Sequence, residues 1–161
     1  MEADRICLTP SKKNNIIMAN WFECKVRYDK LQENGAVKKV TEPYLVDALS
    51  FTEAEARITE EQTPFISGEF SVSAVKRTKI AEIFFNEDGD RWYLAKVGFI
   101  TIDEKTAAEK RSTSLILVQA SNFKEAHENF VKGMAGTMAD YDILSISETP
   151  LMDVYKMKVV D

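Results

Sequence analysis

The sequence predicts an α+β fold made of two tandem strand-strand-helix-strand-strand repeats, forming antiparallel sheets that each carry one helix on one face. Two observations lead there. Set against itself with a shift of 71 residues, the chain pairs Trp21-Phe22 with Trp92-Tyr93 and Lys25-Val26 with Lys96-Val97. At a shift of 72 it pairs Val46, Ala48, Phe51, Glu53 and Ala54 with Val118, Ala120, Phe123, Glu125 and Ala126. The shift then returns to 71 and pairs Phe70 with Tyr141, Val72 with Ile143, Val75 with Ile146, Thr78 with Thr149, Ile83 with Val154 and Phe84 with Tyr155. Self-similarity at one long period marks a duplicated architecture. The second observation is that hydrophobic periodicity changes in the same order in both copies, from strand-like to helical and back.

Each element has a local cause. Phe22, Cys24, Val26 and Tyr28 alternate with Trp21, Glu23, Lys25 and Arg27, which is the period of a half-buried strand. Asn34-Gly35 then supplies the positive φ angles of a tight hairpin turn. A second strand runs from about Val37 to Leu49, where Pro43, lacking an amide donor, points to an edge or a bulge. Ser50 with Glu53 reads as a capping box that opens a helix, and Asn122 with Glu125 repeats it. Phe51, Ala54 and Ile58 form the buried stripe of the first helix, and Phe123, Ala126 and Phe130 that of the second. Two strands close each copy, at about Glu69 to Arg77 and Lys79 to Phe85, then Asp140 to Ser147 and Leu151 to Val159. Residues 1–17 read as an extension, 18–90 as copy one and 91–161 as copy two, the copies together forming one compact domain. Strands three and four of copy one, followed by strands one and two and the helix of copy two, make a β-β-β-β-α string expected to form one half, with the remaining elements forming the other.

Composition excludes several functions. With 161 residues and 45% apolar content the chain can build a proper core. The formal net charge of -5 argues against a general polyanion coat, leaving only a local basic patch. Cys7 and Cys24 make neither a disulfide framework nor a metal motif, so a reducing, cytoplasmic setting is expected. Apolar runs such as Ile80 to Phe85 are too short to span a membrane. The single histidine, His127, is expected on a helix surface, and without a second histidine or paired cysteines a zinc site or a Ser-His-Asp triad is not expected. Asn86-Glu87-Asp88-Gly89-Asp90 faintly resembles a calcium loop, yet Val97 stands where the closing glutamate belongs, so the segment reads as a hairpin turn joining the copies. Phosphate-cradling glycine motifs are missing. The expectation is a protein that is not an enzyme and takes no cofactor or metal.

The constellation with chemical content lies on the first strand of each copy. If Phe22, Cys24, Val26 and Tyr28 face the helix, Trp21, Lys25 and Arg27 share the other face, as do Trp92 and Lys96 in copy two. Aromatic rings that stack on bases beside cations that meet phosphates suit single-stranded nucleic acid. Lys38, Lys76, Arg77 and Lys79 complete the candidate set, with Lys39 adding charge, and copy one is expected to bind the more strongly. The alternatives are a homo-oligomeric structural or interaction protein whose tryptophans seal a subunit boundary, and a small-ligand sequestering protein of the anti-defence kind.

The runs Trp21-Phe22-Glu23-Cys24-Lys25-Val26-Arg27-Tyr28 and Tyr44 to Ala56 resemble an uncharacterised domain-of-unknown-function family of gut Bacteroidales and their phages. The resemblance spans Met18 to about Val159 and implies a phage or bacterial origin, with no established activity, catalytic residue or cofactor. The β-β-β-β-α string is similar in element order to whirly-like folds that bind single strands on a sheet surface, by analogy alone.

Overall fold

The computed structural model describes residues 20–156; the extension at residues 1–17, Cys7 and the end of the last expected strand lie outside them. The elements are β1 (Asn20–Leu31), β2 (Val37–Ala48), α1 (Phe51–Gln62), β3 (Phe70–Arg77), β4 (Ile80–Phe84), β5 (Arg91–Ile102), β6 (Glu109–Ala120), α2 (Phe123–Met134), β7 (Asp140–Glu148) and β8 (Asp153–Tyr155). They make two four-stranded sheets, ordered β3-β1-β2-β8 and β4-β6-β5-β7. The chain divides into two compact units, one running to Thr78 and taking in Tyr155 and Lys156, the other Lys79–Val154. Each unit has one helix packed on its sheet, the α+β architecture the periodicity predicts.

The duplication extends to single atoms. Thr78 donates from its amide and its Oγ1 to the Trp21 carbonyl at 2.9 and 2.8 Å, and Thr149 does the same to Trp92, both at 2.8 Å. β1 pairs antiparallel with β3 and shifts register between Lys25 and Val26; β5 pairs with β7 and shifts between Lys96 and Val97, 71 residues later. Pro43 leaves β2 unbroken, and the bulge falls on the other side of β1. Both capping boxes form: Glu53 N to Ser50 Oγ at 3.1 Å and Glu125 N to Asn122 Oδ1 at 2.9 Å, each glutamate reaching back to an amide just ahead of its helix.

The grouping of strands differs from the expected string. β3 stays with β1 and β7 with β5; only the fourth strand of each repeat crosses to the other sheet. β4 enters alongside β6 in parallel, so that sheet is mixed. Consequently Asn86 to Asp90 is not a hairpin turn. It carries the chain from β4 past the end of β6 to β5, and Gly89 lies so close to Ala120 that a Cβ there would stand 2.6 Å from its Cα and amide nitrogen. Gln119 secures this crossing, accepting from Asn86 N and donating to the Gly89 carbonyl, both at 2.9 Å.

The core of the first unit is Phe22, Cys24, Val26, Tyr44, Val46, Ala48, Ala54 and Ile58; in the second, Ala95, Val97, Ile116, Val118, Phe130 and Met134 form the main cluster. The helix stripes sit one turn later than predicted: Ala54, Ile58 and Gln62, and Ala126, Phe130 and Met134, are buried. Phe51 and Phe123, the first residues of their helices, are 51% and 57% exposed. Among the described residues no helix is long and apolar enough to cross a membrane.

Cys24 is fully buried with its Sγ against the Ala54 carbonyl, and burial, reinforced by Glu23 and Glu55, pushes the thiol up to about 11. The thiolate is the reactive form, so Cys24 is expected to be silent to a thiol reagent at pH 8 until the protein unfolds. A folded-state value above the unfolded one means the stabilising effect is complete below about pH 9 and disappears as pH rises towards 11. Resistance to urea should therefore be lower at pH 10.5 than at pH 8, and the loss smaller in a Cys24→Ala chain; an equal loss in both would refute the assignment.

Candidate nucleic-acid interface

The register of β1 decides which side chains meet on the outer, helix-free face of the first sheet. Lys25 lies between Pro43 on β2 and Ala74 on β3, and Arg27 between Thr41 and Ser71. Both are exposed, and their cross-strand partners carry no charge. Lys76 joins the same face opposite Glu23, and Lys39 joins it opposite Asp29. Among the described residues none of these four cations forms an ion pair. Residues i and i+2 on a strand stand about 6.8 Å apart, so Lys25 and Arg27 form a short cationic stripe. Beside it opens a cleft of about 360 Å³ lined by residues including Arg27, Lys39, Ser71 and Glu69.

Not every predicted residue belongs to this face. Trp21 does, half-buried, at the end where Leu45 and Asp47 are buried. Arg77 lies opposite Phe22 and turns to the helix side, its guanidinium 5.6 Å from the Phe22 ring centre and 5.7 Å from that of Phe51. Lys38 sits opposite Lys30, on the helix-side parity of the strand. Trp92 is only 3% exposed and packs edge-on against Phe85 at 5.8 Å, so its ring has no free surface on which a base could stack. Lys96 is exposed between Leu115 and Ser145, with Gly98 where copy one has Arg27; Lys79 opens the second unit.

Lys39 takes the place expected for Lys38, and the cause is the length of one turn. A two-residue turn at Asn34-Gly35 would pair Leu31 with Lys38 and put Lys38 on the outer face. Instead Gln32 donates to Ala36 at 2.8 Å and Gly35 to Gln32 at 3.0 Å, with Gly35 at φ 85°, a three-residue loop closed by a left-handed glycine. Leu31 then pairs with Val37, and a slip of one residue moves every side chain of β2 to the other face. The burial of Trp92 was signalled by Leu115-Ile116-Leu117-Val118, a continuous apolar run of the kind found where both faces of a strand are covered; Leu117 on the outer face is fully buried.

His127 is exposed on α2, and among the described residues no cluster of histidine, cysteine and carboxylate side chains is suited to a metal ion. Arg57 on α1 donates to the backbone oxygen and the carboxylate of Asp47, which ties the helix to the end of β2. Asn129 ties α2 to the Gln119 carbonyl at 3.0 Å in the same way.

Comparison with curated proteins and with solved structures returns no match. The model of a domain of unknown function, DUF4494, matches residues 20–157, from the first residue of β1 to just past β8, and the chain belongs to that family.

Proposed function

We propose that the protein is a non-catalytic module that binds single-stranded nucleic acid on the outer face of the β3-β1-β2-β8 sheet. The observation that supports this most directly is the Lys25–Arg27 stripe, exposed, without ion-pair partners among the described residues and bordered by Pro43, Thr41, Ser71 and Ala74. Lys39 and Lys76 widen it, and Trp21 supplies an aromatic edge. Glu23 and Asp29 on the same face limit its strength, which fits a modest, salt-sensitive binder rather than a tight one.

Fluorescence anisotropy with labelled single-stranded DNA, single-stranded RNA and duplex DNA at two salt concentrations tests this. Binding should favour single strands, and Lys25→Glu with Arg27→Glu should abolish it or lower the salt slope by about 1.4, since each phosphate contact on a single strand contributes about 0.7. Trp92→Phe should leave binding unchanged. Affinity indifferent to the Lys25 and Arg27 substitutions would sink the proposal. A second reading, an interaction protein that associates with its own copies, rests on Leu31 and Val37, paired in register at the hairpin tip and 71% and 65% exposed, and on the equivalent Ile102 at 67%. Absence of nucleic-acid binding combined with self-association that Leu31→Ser removes would favour it.

A further inference from the structure

Two long strands are paired on one side only. β3 ends the order β3-β1-β2-β8 and β7 ends the order β4-β6-β5-β7, with eight and nine residues. Among the described residues no further strand lies along either edge. A row of unpaired amides and carbonyls is a template for another strand. The two edges are equivalent by repeat yet opposite in charge. β3 carries Lys76 and Arg77 and no carboxylate; β7 carries Asp140, Asp142 and Glu148 and no cation.

Their shapes agree as well. Each strand has one extra residue where its register shifts, Ser73 between Val72 and Ala74, and Leu144 between Ile143 and Ser145. A bulged edge mispairs with a regular strand, whereas two edges bulged at the same place match residue for residue. Laid antiparallel with Lys76 opposite Asp142, the strands bring Val75 to Ile143 and Val72 to Ile146, all four half-buried on the helix sides of their sheets. In this register Ser71 meets Ser147 and Arg77 meets Tyr141, while Glu69 falls beyond Glu148 and faces Thr149, so no like charges stand opposite each other. Lys76 forms no ion pair among the described residues, and Asp142 keeps only a long, exposed contact with Arg111 at 3.8 Å. We infer that β3 of one copy pairs antiparallel with β7 of a second copy, joining two four-stranded sheets into one with both helices on the same face. Pairing β3 with β3 would match the bulges equally, but it would set Lys76 opposite Ser71 and leave the carboxylates of β7 unused; charge selects β7. Each chain has one edge of each kind, so the contact runs head to tail and repeats from copy to copy.

Sedimentation velocity of the full chain at rising concentration tests this. The sedimentation coefficient should climb with concentration, and Lys76→Glu or Asp142→Lys alone should weaken the association about fivefold, because each sets like charges opposite each other. The two substitutions in one chain should restore it to the parent level. Loss that persists in the doubly substituted chain would overturn the inference, as would a parent that does not associate. Association removed by Leu31→Ser but indifferent to both charge reversals would place the contact at the hairpin tip and overturn it too. A cross-linking experiment guards against a reversal that perturbs folding. In a Cys7→Ser background, with Cys24 buried, a chain carrying Lys76→Cys is mixed with one carrying Asp142→Cys and mildly oxidised. Disulfide-linked heterodimers should exceed both homodimers; an excess of the Lys76→Cys homodimer would show that β3 pairs with β3 and overturn the assignment.

Discussion

Phe130→Ala is expected to destabilise the second unit by about 3 to 5 kcal/mol, the range for removing a large buried aromatic ring. Phe130 is fully buried, contacts the rings of Phe84 and Tyr141 at 6.1 Å each, and belongs to the cluster with Ala95, Val97, Ile116, Val118 and Met134. Truncation leaves a cavity between α2 and the sheet that these neighbours cannot close without moving backbone. Domains of this size have about 5 to 15 kcal/mol in total, so much of the unit's stability rests on one ring. Phe123→Ala on the same helix is the internal control, because that ring is 57% exposed and should cost less than about 1 kcal/mol. Urea unfolding followed by circular dichroism measures both, and equal losses would refute the placement of the helix stripe.

Gly89→Ala should cost about 3 kcal/mol, at the upper end for overpacking, although a single methyl group is added. The obstacle is backbone: the new Cβ would lie 2.6 to 2.7 Å from the Cα, amide nitrogen and carbonyl carbon of Ala120. No rotamer relieves that contact. The crossing must lift from the end of β6, which strains the bonds from Gln119 to Gly89 and from Ser121 to Asp88 at 2.9 and 3.2 Å. Gly133→Ala is the informative comparison. Its obstacle is the Phe84 ring, which can tilt, and alanine in a helix recovers about 1 kcal/mol of propensity. A Gly89→Ala chain within 1 kcal/mol of the parent would show that the crossing is looser than its geometry.

Much of this fold is legible in the sequence because its causes are local. Alternation along β1, the two capping boxes and the period of 71 to 72 residues require only near neighbours, and the matched Thr78 and Thr149 turn out to perform the same task on Trp21 and Trp92. The choice of partner for the fourth strand is not local. Phe84 and Tyr155 align as equivalent aromatics, and only contact with Gln62 and Gly133 reveals that one hydroxyl separates their roles. The candidate interface departs from the expected set where a one-residue difference in turn length governs everything downstream: Lys25 and Arg27 are where alternation puts them, while Lys38 and Lys39 trade faces. The burial of Trp92 is not legible in its own strand, since it lies on the outer face where Leu117 is also buried.

The crossing of β4 follows from the shortness of the link that precedes it. The slot that a fourth strand would fill lies beyond β2, whereas β3 lies beyond β1, three strand spacings or about 14 Å away. Only Thr78 and Lys79 separate β3 from β4, and the three Cα steps from Arg77 to Ile80 reach about 11 Å when fully stretched. Copy one therefore has no means of completing its own sheet. With so short a link, the slot beyond β2 can be filled only by a strand from another copy, and in this chain that strand is β8 from copy two.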